Sequence, residues 1–142
     1  MLGEEIGKLA VSKNLKDIDI IIPVPLHKAK LRDRTYNQSE YIAKGISNIL
    51  KTEVISDAVI RSRFTPTQTR LNKAERKVNV SGAFGINSKY ADKLRGKNIL
   101  LADDVITTGA TILECASAIK SAGSGKLCIC SAAYAELKIN VV

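Results

Sequence analysis

At 142 residues and 45% hydrophobic content the chain is long enough to bury a core of its own, which excludes a disordered protein and a disulfide-stapled mini-domain. No apolar run approaches the roughly 18 residues of a membrane span, and the start lacks the basic-then-apolar layout of a signal peptide; a cytoplasmic protein with no membrane insertion is expected. The net charge of +8 is localised: residues 27–34 and 61–77 together hold ten basic and two acidic residues, the whole excess, which points to a polyanionic ligand, either a polyphosphate or a nucleic acid.

In chain order, Leu2, Ile6, Leu9 and Ala10 recur at helical spacing and predict an amphipathic helix over Gly3 to Leu15. Ile18 to Val24 is a short isoleucine-rich run that meets Pro23 and Pro25, which have no N–H to donate, and reads as the first core strand. Pro25 to Tyr36 follows as a basic loop at the carboxyl end of that strand. Asn37 with Glu40 resembles a capping box, and Ile42, Ile46, Ile49 and Leu50 continue a helix to Lys51, with Gly45 on its apolar face as a point of close packing on the sheet.

Glu53 to Ile60 predicts a second strand, interrupted at Asp57. Ser62 to Asn72 has no regular period and is rich in Thr, Pro and Arg, so it reads as an anion-seeking loop. Lys73 to Val80 predicts a short helix, Gly82 to Ile86 a short strand, and Asn87 to Gly96 a polar connection.

The chain is organised around Ile99 to Thr111, Ile-Leu-Leu-Ala-Asp-Asp-Val-Ile-Thr-Thr-Gly-Ala-Thr, in which an apolar strand runs into two carboxylates and then into a small, hydroxylated turn. Such a loop at the carboxyl end of a parallel strand, opening a helix, aims backbone N–H groups and the positive helix end at one point, which makes a phosphate cradle. Gly109 lets the backbone take positive φ and approach a ligand, and Thr107, Thr108 and Thr111 add hydroxyl donors. Asp103 and Asp104 stand where carboxylates accept from vicinal hydroxyls or hold a hydrated divalent cation. Two aspartates or a Thr-Gly step alone would merely cap a helix. The uninterrupted order of strand, acidic pair, hydroxylated turn and helix favours a sugar-phosphate site instead.

Behind this motif Ile112, Ala116 and Ile119 face the sheet, and Gly123 with Gly125 ends the helix. Lys126 to Ala135 is apolar on both alternating faces, as in a strand covered on both sides. The three cysteines, Cys115, Cys128 and Cys130, lack C-x-x-C spacing, and His27 is the single histidine, so neither a disulfide framework nor a His/Cys metal site is expected.

Ile99 to Thr111 closely resembles the phosphoribosyl pyrophosphate signature of the type I phosphoribosyltransferases. "PVPLHKAKLRDRTYNQSEYIAKGI", "RSRFTPTQTRLNKAERKVNVSGAF" and "GKNILLADDVITTGAT" stand in the order and spacing of the ComF family of competence proteins, which are phosphoribosyltransferase-like. The resemblance covers about Ile20 to Ala135 and implies a three-layer α/β fold, an open, mostly parallel sheet with helices on both faces, in a single domain over 1–142.

It further implies roles for particular residues. Asp103 and Asp104 would be the catalytic pair on the ribose hydroxyls and on Mg2+, and Val105, Ile106, Thr107, Thr108, Gly109, Ala110 and Thr111 would bind the 5′-phosphate. Leu26, His27, Lys28, Arg32 and Arg34 would bind pyrophosphate, and Arg63, Thr67, Gln68, Arg70 and Arg76 would belong to a mobile basic loop. Many members of that family carry an amino-terminal four-cysteine zinc module, and no cysteine precedes Cys115 here.

Two functions compete. One is a phosphoribosyltransferase, binding phosphoribosyl pyrophosphate or another ribose 5-phosphate compound with Mg2+ and transferring phosphoribosyl to or from a base. The other is a competence factor for DNA uptake that handles single-stranded DNA along its basic loops and uses the phosphoribosyl pyrophosphate site as a ligand or regulatory site. Only two Phe and four Tyr are present as stacking platforms, of which Tyr36 and Phe64 lie beside basic clusters. A phosphoacceptor receiver domain fits less well, because its acidic pair belongs near the end of the first strand. The acceptor base and the oligomeric state stay open, a homodimer among the options.

Overall fold

The computed structural model describes residues 2–26, 36–61, 84–104, 109–133 and 136–141, with 133 and 136–141 described by their backbone alone. The helix expected over Lys73 to Val80 lies outside the described residues.

Helix α1 (Leu2–Ser12) turns Gly3, Ile6, Gly7 and Ala10 inward. Strand β1 (Ile20–Pro23) is fully buried and runs parallel to β2 (Glu53–Val54) on one side and to β5 (Ile99–Asp103) on the other. Pro23 is tolerated at its end for a geometric reason. The N–H of Val24 bonds to Ala102 O at 2.9 Å, so the nitrogen of Pro23 faces the opposite edge, where β2 has already ended. Strand β6 (Leu127–Ala133) pairs parallel with β5, and β7 (Glu136–Val141) closes the sheet antiparallel to β6, giving the order β2-β1-β5-β6-β7.

Apolar side chains from alternate positions of the strands build a core on each face. Ile20, Ile22, Ile99, Leu101, Leu127 and Ile129 pack against helix α4 (Ala110–Ser121) and against a separate antiparallel pair, β3 (Val59–Arg61) with β4 (Phe84–Ile86). Ile21, Leu100, Ala102, Cys128 and Cys130 pack against α1 and α2 (Gln38–Leu50). The arrangement is a three-layer, mostly parallel α/β fold. All three cysteines are buried and free, and burial pushes the Cys115 and Cys130 thiols up to about 12, so they behave as core groups.

Several sequence expectations are corrected. Gly45 packs against the neighbouring helix: a Cβ built there would sit 2.6 Å from Gly3 Cα, so the two helix backbones touch at a glycine pair, away from the sheet. The expected interruption at Asp57 is present, but the strand expected over 53–60 is two strands that belong to two different sheets. The polar connection contains a 3-10 turn (Ser88–Tyr90) capped by Asn87 and a one-turn helix α3 (Ala91–Leu94) whose Leu94 is buried. Asn37 does cap α2, accepting from Ser39 N at 3.0 Å, but Glu40 accepts from Ser56 Oγ at 3.0 Å and pairs with Lys44 at 3.6 Å. Strand β7 has no counterpart among the expected elements.

Candidate functional site

The central strand β5 delivers the acidic pair to the carboxyl edge of the sheet. Its five residues are buried, because strands flank it and helices cover both faces. Asp103, its last residue, is 9% exposed and is held at one oxygen: Oδ1 accepts from the Asp104 backbone N–H at 2.8 Å and from Ser39 Oγ at 3.1 Å. Ser39 comes from the first turn of α2, so helix and strand meet at this carboxyl.

Burial pushes the Asp103 carboxyl up to about 6, the hydrogen-bonded and like-charged Asp104 carboxyl adds to the rise, and the Asp104 N–H and Ser39 hydroxyl oppose it. A buried carboxyl beside a second one is a donor set suited to a divalent cation, which offsets the repulsion between them, or to hydroxyl donors. Mg2+ characteristically takes one or two carboxylates and completes its shell with water and phosphate oxygens. Among the described residues no group of three or more His, Cys, Asp or Glu is placed to hold a metal ion by protein ligands alone.

Five residues beyond Asp104, Gly109 stands at φ +83 before α4, the left-handed region that disfavours any side chain. Among the described residues a Cβ there would meet nothing nearer than Leu113 Cδ1 at 4.0 Å, so the positive φ is the constraint that they place on this glycine. Ala110 and Thr111 open the helix and are exposed. Strand β5 and α4 therefore place the acidic pair and a helix N-terminus at one edge.

At the adjacent strand end, Asn37 Nδ2 donates to Val24 O at 3.0 Å and ties the start of α2 to the end of β1. Leu26 is half-buried just beyond. Of the other predicted site residues, Val105, Ile106, Thr107, Thr108, His27, Lys28, Arg32, Arg34, Arg63, Thr67, Gln68, Arg70 and Arg76 lie outside the described residues. Arg61, from the second basic segment, is packed with its guanidinium 4.7 Å from the Phe84 ring centre, and burial lowers its pKa; this charge serves packing.

Asp104 borders a cleft of about 670 Å3 lined also by Leu2, Tyr36, Tyr41, Ile42 and Ala132. Sequence reasoning named neither Ser39 nor Tyr41. Ser39 is 64 residues from Asp103, and only the sheet topology brings them together. Tyr41 carries a readable signal, since it is five residues from Tyr36 and on the polar side of its helix.

Among the described residues no helix is long and apolar enough to cross a membrane. No protein-family model matches the chain. It is similar to the DNA utilization protein YhgH of Shigella flexneri, 34% identical over 115 residues, covering 79% of this chain and 49% of that protein. It is also similar to competence protein F of Haemophilus influenzae, 32% identical over 109 residues, covering 77% and 47%. The chain thus spans about half the length of these curated relatives. Among solved structures it resembles the allosteric regulatory enzyme of purine biosynthesis, with a TM-score of 0.59 and 17% identity, covering 92% of this chain and 25% of that one. The glutamine phosphoribosylpyrophosphate amidotransferase from B. subtilis gives the same TM-score and identity, covering 92% and 26%. Identity at that level speaks for the fold, which is that of the type I phosphoribosyltransferases.

Proposed function

The chain belongs to the ComF family of competence proteins, and on that premise we propose that it binds phosphoribosyl pyrophosphate, or a ribose 5-phosphate compound, together with Mg2+. The observation that carries the reading is the juxtaposition of Asp103 and Asp104, at the end of the central parallel strand, with the left-handed Gly109 that opens α4. In this reading the carboxylates accept from the ribose 2′ and 3′ hydroxyls, and the 105–111 turn receives the 5′-phosphate at a helix N-terminus. Leu26, His27, Lys28, Arg32 and Arg34 then face the pyrophosphate. Asp103 and Asp104 would also hold Mg2+, directly or through water. Bound there, Mg2+ supplies charge neutralisation for a departing pyrophosphate.

Phosphoribosyl transfer to or from a base is the chemistry such a site supports. The test is titration with phosphoribosyl pyrophosphate with and without Mg2+ by calorimetry, followed by a screen of free bases for pyrophosphate release. Binding that requires Mg2+ is expected; absence of binding under both conditions overturns the reading.

A second reading has its own observation, the confinement of the +8 excess to residues 27–34 and 61–77. Together with the DNA utilization and competence names of the relatives, it supports single-stranded DNA handling, with the sugar-phosphate site as a ligand or regulatory site. Lys28, Lys30, Arg32, Arg34, Arg70 and Arg76 are the residues assigned to the phosphate backbone. Anisotropy across a salt series should show log affinity falling by about 0.7 per contacted phosphate for each unit of log salt. Phosphoribosyl pyrophosphate should compete. Failure to bind at low salt leaves the small-molecule reading alone.

A further inference from the structure

The cleft beside Asp104 has an unusual wall for so aromatic-poor a chain. Two of the four tyrosines, Tyr36 and Tyr41, meet there edge to face, with ring centres 5.3 Å apart and planes at 81°. Both stay open to solvent, at 46% and 55% exposure, next to Leu2 at 50%. Mutual contact braces the rings without hiding them, so a flat ligand that stacks on the face of one and abuts the other costs less side-chain freedom than it would on a lone ring and removes apolar surface from water.

Charge decides which flat ligand fits. Asp104 borders the cleft, so a phosphate inside it would face a carboxylate. A neutral heteroaromatic ring with N–H groups has the opposite preference: its faces stack on tyrosine and its edge donates to the carboxylate. A cation stands beside the rings. Lys44 Nζ lies 5.8 Å from the Tyr41 ring centre, and in sequence Tyr36 follows the basic 27–34 segment after a single residue, Thr35. A volume of about 670 Å3 is in the range of small-molecule sites and holds a nucleoside-sized group.

We infer that Tyr36 and Tyr41 form a stacking platform that takes one base of a single DNA strand into the cleft beside Asp104, with the strand's phosphates left outside it, where Lys44 stands beside Tyr41. An open-mouthed wall with exposed rings suits a base carried on a strand. This rests on the DNA-handling reading above, and names the residues that would engage bases.

The test compares labelled strands of about 12 nucleotides, one of thymidines and one abasic with the same backbone, by anisotropy at low salt. Tyr36→Ala and Tyr41→Ala should each weaken the thymidine strand about tenfold and leave the abasic strand unchanged. Tyr36→Phe and Tyr41→Phe, which keep the ring, should retain binding. The chain has no tryptophan, so Tyr41→Trp provides a unique reporter whose emission should fall on adding the thymidine strand and hold steady with the abasic one. Equal weakening of both strands, or alanine variants that bind as the parent does, would overturn the platform while leaving DNA handling intact. Quenching by free thymine or adenine without quenching by the strand would overturn it in favour of an acceptor-base pocket. A parent chain that binds neither strand overturns the platform and the DNA-handling reading together.

Discussion

Gly45 and Gly109 are the same residue type in opposite predicaments. At Gly45 the space is full: a Cβ would lie 2.6 Å from Gly3 Cα and 2.8 Å from Gly3 C, backbone atoms that move only if a helix moves. At Gly109 no described residue comes nearer to a Cβ than 4.0 Å, and the constraint is a φ of +83. One glycine lets α1 and α2 close over the sheet; the other lets a loop turn into a helix at the edge where the acidic pair stands. The layer beneath is specified by packing and the edge by backbone conformation, so the two should fail differently when changed.

The largest expected effect is at the packed position. Gly45→Val should destabilise the fold by about 3 kcal/mol or more, because overpacking against backbone outweighs the up to about 1 kcal/mol that leaving glycine returns within a helix. Denaturant unfolding measures this, and a loss below about 0.5 kcal/mol would mean the helix pair slides freely. Next comes Gly109→Val, expected to cost about 1 to 2 kcal/mol of stability through the left-handed backbone while sugar-phosphate binding falls more than tenfold. Paired measurement of unfolding and ligand affinity tests the contrast; unchanged affinity in the folded variant removes Gly109 from the cradle.

Replacing Asp103 and Asp104 together by Asn should lower phosphoribosyl pyrophosphate affinity about tenfold and flatten its Mg2+ dependence, since charge is lost and shape kept. Calorimetry at several Mg2+ concentrations reads both, and binding equal to the parent's would make the carboxylates structural. The finest discriminator is pH. The folded Asp103 carboxyl, raised to about 6 from 3.8, holds its proton longer than the unfolded one. The folded state therefore binds more protons between these values, and stability falls as pH rises from about 4 to 6. Asp103→Asn should lose that limb, because the amide oxygen still accepts from Ser39 and the Asp104 N–H. A variant with the parent's pH profile would assign the dependence elsewhere.

Much of the fold and part of the site are legible in the amino-acid order. Strands β1, β5 and β6 are short apolar runs bounded by proline, carboxylates or glycine, and such runs have few alternatives in a chain of this length. The Gly109 turn is readable because few residue types adopt its conformation. Partners across the fold are not. Gly45 declares close approach without saying to what, and Ser39 reaches Asp103 only because α2 lies against β5. Strand β7 has a period-two pattern in Leu137, Ile139 and Val141, but its role depends on an edge of β6 that the linear sequence does not announce. The Ser88–Leu94 turns escape notice because they bury little beyond Leu94.

Asn37 ties the start of one element to the end of another. Its side chain accepts from Ser39 and donates to Val24 O, 13 positions earlier, so one amide clasps the base of the whole 25–36 segment. Joining the two ends at one residue separates the evolution of the sequence between them from that of the scaffold. Lengthening such a segment costs only about 0.6 kcal/mol per doubling, and the register of β1 and the start of α2 stay where the clasp puts them. Descendants of such a chain are free to exchange the residues between Val24 and Asn37 without relearning how to fold.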